Sequence, residues 1–125
     1  MIKLLYIGAG GFFGSIARFL VAKFFNNIYS SVPLGTLIVN VSGSFFLGFL
    51  IYLISYNRNI SPEFRDMLTI GFIGAYTTMS TFAYETFRLS ELSEWIYFAL
   101  NITLNLFFCL AAVFFGKELA VLITK

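Results

Sequence analysis

Long apolar runs alternate with short polar stretches along the chain, and each run is longer than the core-facing stripe of a soluble helix. The runs cover 4–25, 33–56, 64–87 and 95–123. A helix needs about 20 mostly apolar residues to cross the hydrocarbon of a bilayer, so the pattern predicts four membrane-spanning helices. The polar stretches at 26–31, 57–62 and 88–94 are short enough to join antiparallel neighbours. Ser61-Pro62-Glu63 adds a start signal to the third run: a capping hydroxyl, a proline at the first helical position and an acid in the first turn. The prediction is one all-α integral membrane domain over 1–125.

Composition supports lipid as the solvent. The chain is 59% hydrophobic and 11% charged, and its seventeen Phe cannot all be hidden in the core of one small soluble domain. Histidine is absent and Cys109 stands alone, which excludes His/Cys metal centres, a Cys-His dyad and an intrachain disulfide. No enzyme is expected. The eight basic residues are scattered and leave a net charge of only +2, unlike a nucleic-acid footprint. Lys3 precedes an apolar run, as in a secretory leader, but the run exceeds a usual leader core and three more follow, so it is expected to stay as a span. Four spans put Lys3, Arg58, Arg65, Lys117 and Lys125 on one side, facing Lys23, Arg88 and Arg18. So weak a bias permits insertion in both orientations, and hence pairing of the chain with its own inverted copy.

Small and polar residues inside a span mark the faces that meet protein, water or ligand. The first span carries Gly8 and then Gly10, Gly11, Gly14 and Ser15, of which Gly10 and Gly14, and Gly11 and Ser15, are four apart and line a close-packing stripe, followed by Arg18. A charge so placed either reaches an interface or draws an anion into an aqueous vestibule. Gly8, Gly11 and Gly14 also imitate a dinucleotide-binding turn, but nothing after Phe25 supplies the alternating strands and amphipathic helices of that fold. The second span has Asn40 and Ser44 beside Gly43 and Gly48; Asn40 is either interhelical glue or a ligand contact. The third reads Gly71-Phe72-Ile73-Gly74-Ala75-Tyr76-Thr77-Thr78-Met79-Ser80-Thr81-Phe82, then Glu85. Two glycines and four hydroxyl residues there argue against a continuous helix and for a break, whose freed carbonyls suit a hard cation and whose amides suit an anion; small-residue packing is the alternative. On the fourth span Asn101, Asn105 and Cys109 share a face, either a pore wall or a helix seam, with Thr103 to one side.

Taken in order, Gly10-Gly11-x-x-Gly14-x-x-x-Arg18, Gly35-Thr36-Leu37-x-Val39-Asn40 with Gly43, and Gly71-Phe72-x-Gly74-x-x-Thr77-Thr78-x-Ser80-Thr81-Phe82 resemble the Fluc (CrcB) family of bacterial fluoride channels over essentially the whole chain. The resemblance implies an antiparallel, dual-topology dimer of four-helix subunits in the cell membrane, with two fluoride pores and a structural Na+ ion at the dimer centre. By position it implies that backbone carbonyls of Gly74 and Thr77 hold the sodium and that Asn40 donates to fluoride. Ser80 and Thr81 would lie along the polar track and Arg18 in the vestibule; Asn101 and Asn105, on the fourth span where the family's polar residues vary, are further candidates for the fluoride pore. Phe82 matches one of two pore phenylalanines, whose ring edges are electropositive.

Two positions depart from the family pattern. Met79 stands where the other pore phenylalanine is usual, and Ala75 replaces the second glycine of a common pair. Met79 therefore leaves open a heterodimer of two related chains with unequal pores as well as a homodimer. A small proton-coupled multidrug exporter is the rival transporter, but it needs a carboxylate in its first span, and no acid precedes Glu63. A non-conducting assembly subunit is the third reading, with Glu85 as a partner for Arg18 or Arg88.

Overall fold

The computed structural model describes residues 1–26, 33–56 and 60–125; of the predicted connectors at 26–31 and 57–62, residues 27–31 and 57–59, Arg58 among them, lie outside the described residues. The described residues are helical and contain no strand. Helix α1 spans Ile2–Asn26, α2 Leu34–Tyr56 and α6 Trp95–Thr124, and these three are long and apolar enough to cross a membrane. The third predicted run is built differently. Helix α3, Pro62–Asp66, leads into a π-helical stretch, Met67–Ile73, and then α4, Gly74–Tyr76; Thr77 and Thr78 are extended, and α5 resumes at Met79–Glu91.

Local chemistry accounts for the ends. Ser61 caps α3 by accepting the Phe64 amide at 3.3 Å, with Pro62 in the first turn, where its missing N–H costs nothing. Helix α5 runs four residues past the predicted end of the span at 87 because a Schellman motif closes it at 91: the Glu94 amide reaches the Leu89 carbonyl at 2.9 Å and the Ser93 amide that of Ser90 at 3.0 Å. Ser93, at φ 58°, takes the left-handed position.

Packing inverts the order of a soluble core. Apart from glycines, the buried residues are Val39, Ile73, Leu89, Ala112 and Ala120 on the apolar side and Thr36, Asp66, Thr78, Thr86, Asn101 and Asn105 on the polar side. Large apolar residues such as Phe12, Phe13, Phe19, Phe107 and Phe115 face outward. Hydrocarbon accepts those rings, whereas buried polar groups must find partners inside; this is a membrane protein.

Glycines let the backbones approach. Helix α1 lies on the π-helical stretch where Gly14 meets the Phe72 carbonyl, and α6 lies along α2 where Gly116 meets the Phe45 carbonyl; a methyl group at either glycine would collide with that oxygen. The start of α1 and the end of α3 are clasped by charge. Asp66, 3% exposed, takes Lys3 Nζ on Oδ2 at 2.6 Å and Nε of the adjacent Arg65 on Oδ1 at 2.9 Å.

Candidate functional site

Several of the polar residues singled out in the sequence gather where the chain leaves helical geometry. Thr77 has φ −78° and ψ 157°, Thr78 φ −150° and ψ 114°. Two extended residues strip the flanking turns of their hydrogen bonds, and the side chains around them replace those bonds. Asn40 on α2 does most of this: its Oδ1 accepts the Thr78 amide at 2.8 Å and its Nδ2 donates to the Thr78 carbonyl at 3.1 Å. Thr78 in turn caps α5, with Oγ1 accepting the Thr81 amide at 3.2 Å. Tyr76 is tied to α2 through Ser42, hydroxyl to hydroxyl at 2.9 Å.

The break releases carbonyls of the preceding turn, those of Gly74 and Thr77 among them. In a continuous helix the Gly74 carbonyl would accept from the Thr78 amide and that of Thr77 from the Thr81 amide. Both amides are engaged elsewhere, with Asn40 Oδ1 and Thr78 Oγ1. Gly74 and Thr77 thus each present an oxygen without its usual helical donor, and oxygen is the donor type a hard cation takes. The residues fit the sodium expected at these two positions. Among the described residues no group of His, Cys, Asp or Glu side chains is disposed to hold a metal.

From Asn40 a polar ladder runs into α6 and α5. Asn40 Nδ2 also donates to Asn105 Oδ1 at 3.3 Å, Asn105 Nδ2 to Asn101 Oδ1 at 3.1 Å, Asn101 Nδ2 to Thr86 Oγ1 at 2.8 Å, and Thr86 Oγ1 to the Phe82 carbonyl at 2.7 Å. Asn101 and Asn105 are only 3% and 6% exposed, so their full pairing is what burial demands.

Two cavities flank the break, and Thr78 lines both. One, of about 350 Å³, is walled by Ser15, Arg18, Lys23 and Asn26 on one side and by Thr36, Thr78 and Thr81 on the other. The other, of about 510 Å³, lies between α2, α5 and α6 and takes in Asn40, Met79, Phe82, Asn105 and Cys109. Of the residues singled out in the sequence, Asn40, Met79, Phe82 and Asn105 therefore meet at one cavity and Arg18 and Thr81 at the other. Asn101 is buried behind Asn105, and Thr103 is exposed with its hydroxyl bonded to the Ala99 carbonyl. Ser80 is exposed, its hydroxyl 3.3 Å from that of Thr78. Glu85 forms no ion pair among the described residues; Arg88 pairs with Glu91 at 3.5 Å instead.

The structure adds Thr86, absent from the sequence motifs, and places Thr36, quoted there without a role, in the wall of the smaller cavity. Thr86 follows Phe82 by four residues, so the hydroxyl pattern of the third run continues one turn beyond its last conspicuous member. Thr36 sits in the Gly35-Thr36 pair opening α2, where it reads as a helix-start residue.

Residues 5–117 match the family model described as CrcB-like protein, Camphor Resistance (CrcB). The chain belongs to the CrcB family. It is 46% identical to the fluoride-specific ion channel FluC 1 of Methanosarcina acetivorans over 117 residues, covering 94% of this chain and 89% of that one. It is also 43% identical to the fluoride-specific ion channel FluC of Shewanella oneidensis over 120 residues, 95% and 96% of the two chains. With the FluC of Methanococcus maripaludis the identity is 47% over 117 residues, 94% of each. The matched residues 5–117 span the break, Asn40 and the ladder.

Proposed function

We propose that this chain forms a fluoride-selective channel that lets fluoride leave the cell passively through the cell membrane. The observation that carries the reading is the meeting of Asn40, Phe82 and the Thr77–Thr78 break at one cavity in a membrane protein whose relatives are named fluoride-specific channels. Fluoride is small and strongly hydrated, so a selective path must exchange its water for close N–H and O–H donors. Asn40 offers one. Its Nδ2 proton directed at Asn105 makes the longest link of the ladder, 3.3 Å, and an anion in the cavity would share that proton while the two bonds to Thr78 keep the amide oriented. The Phe82 ring edge offers weakly positive C–H groups from the opposite wall. Arg18 and Lys23 in the adjoining cavity supply an attractive field for anions.

In this reading the break lies at membrane depth, where irregular backbone is tolerated only if buried or facing water, and an inverted second copy completes the assembly around two pores. The released Gly74 and Thr77 carbonyls would hold Na+ at its centre, a structural charge that fixes the two breaks against each other. Met79 supports a second arrangement, pairing with a related chain: it is 74% exposed and fills a cavity position with a flexible thioether instead of a rigid ring.

Fluoride efflux from liposomes holding the purified protein, read with a fluoride electrode and with chloride efflux as control, tests the reading. Rapid fluoride release without chloride is expected. A well-folded protein that releases neither ion overturns the homomeric channel, and co-reconstitution with a related chain then tests the mixed dimer.

A further inference from the structure

The ladder from Asn40 to Phe82 has a direction, and a single backbone amide imposes it. The Thr78 N–H can only donate, so the Asn40 carboxamide must turn Oδ1 toward it, at 2.8 Å, and Nδ2 away. Nδ2 then meets Asn105 and obliges it to present Oδ1, which sends Asn105 Nδ2 to Asn101 Oδ1 and Asn101 Nδ2 to Thr86 Oγ1. The Thr86 hydroxyl, its lone pair taken, gives its own proton to the Phe82 carbonyl at 2.7 Å. Every amide in the series has its orientation fixed by the one before it. Chains of bonds that point one way reinforce each other in a low-dielectric interior.

The ladder joins the two residues that face each other across the larger cavity, by a route through α6 behind the cavity wall. Asn40 stands on α2 and Phe82 on α5. Helices α2 and α6 are closely packed, but α5 begins after the break, and the Asn101–Thr86 bond is a buried side-chain tie between α5 and α6. We infer that Asn101, Asn105 and Thr86 are positioning residues of the pore: acting through one hydrogen-bond chain, they set where the Asn40 amide stands relative to the Phe82 ring. The inference rests on the fluoride reading above and assigns Asn101 a place behind the permeation path. Asn105 touches both path and ladder.

The test uses near-isosteric changes at the buried end, where no residue lines the cavity. Thr86→Val removes the hydroxyl and keeps the volume; Thr86→Ser keeps the hydroxyl. Each is reconstituted in liposomes at matched protein content, and initial fluoride efflux is measured over a range of fluoride concentrations with chloride in parallel. Thr86→Val is expected to lower efflux at subsaturating fluoride roughly tenfold, the scale of one buried hydrogen bond, and to raise the half-saturating concentration. Thr86→Ser is expected to restore both. A mere loss of folded protein lowers the maximum and leaves the half-saturating concentration in place, which separates positioning from stability. Asn101→Leu is the second variant, and combined with Thr86→Val it is expected to do no more harm than the worse single change, as members of one chain should. Wild-type half-saturation in Thr86→Val and Asn101→Leu, or a double variant whose effect is the product of the singles, overturns the inference. Wild-type efflux by itself tests the fluoride reading, so failure of that reading is recognised before any variant is compared.

Discussion

Asn40 gives Thr78 the two hydrogen bonds that a helical backbone would have given it, accepting its amide at 2.8 Å and donating to its carbonyl at 3.1 Å. A carboxamide carries the donor and acceptor of a peptide group on a side chain, so α2 lends the broken strand of backbone a surrogate peptide. That exchange keeps the buried Thr78 backbone satisfied and takes its amide from the Gly74 carbonyl. The Thr77 carbonyl loses its helical donor separately, because Thr78 Oγ1 accepts the Thr81 amide.

Asn40→Ala is expected to abolish fluoride efflux and to lower stability by about 2 kcal/mol, because the Thr78 amide and carbonyl are left buried and unpaired. Asn40→Asp keeps the acceptor for the amide but brings an anionic oxygen against the Thr78 carbonyl, and flux should be lost again. Thermal unfolding in detergent reads the first effect and liposome efflux the second; wild-type flux in both variants would refute the assignment.

The two aromatic positions predict opposite outcomes. Phe82→Ala removes a half-buried ring from the cavity wall and should reduce fluoride flux strongly. Met79→Phe supplies a ring edge at the cavity, and an aromatic contact of about 0.5–1.5 kcal/mol corresponds to a flux gain of about two- to tenfold. Unchanged flux in Met79→Phe would show that the thioether is not what limits conduction.

Close backbone packing separates glycines that look alike in sequence. Gly116→Ala drives a methyl into the Phe45 carbonyl and should cost about 1–3 kcal/mol. Nothing lies within 4 Å of a side chain built at Gly8, so Gly8→Ala should be neutral or stabilising by up to about 1 kcal/mol through helix propensity. Melting temperatures of the purified variants decide; equal effects would contradict the α2–α6 contact.

Asp66 is buried between two cations, so Asp66→Asn should loosen the clasp between α1 and α3 and lower the melting temperature. Exchanging the charges as Lys3→Asp with Asp66→Lys should recover part of the loss, whereas either single reversal should be worse than Asp66→Asn. A swap no better than its singles would show that the 2.6 Å pair does not hold the two helices together.

By itself the amino-acid sequence determined the long helices, α1, α2 and α6, because about 20 consecutive apolar residues have one stable arrangement in hydrocarbon. It also determined the start of α3 at Ser61 and Pro62, since caps and proline act within a turn. The clustering of Gly74, Thr77, Thr78, Ser80 and Thr81 was visible as a local rule violation, and the family motifs were visible as ordered spacings. The tertiary structure decided which partner answers each polar group. Asn40 and Thr78 are 38 positions apart and Asn40 and Asn105 are 65 apart, and helical periodicity fixes a residue's phase only within its own helix. Thus the partners of Asn40, the burial of Asn101 behind Asn105, and the bonds made by Thr86 appear only once α2, α5 and α6 are packed. The π-helical stretch and the Lys3–Asp66 clasp belong with them, since the first forms against the glycines of α1 and the second joins residues 63 positions apart.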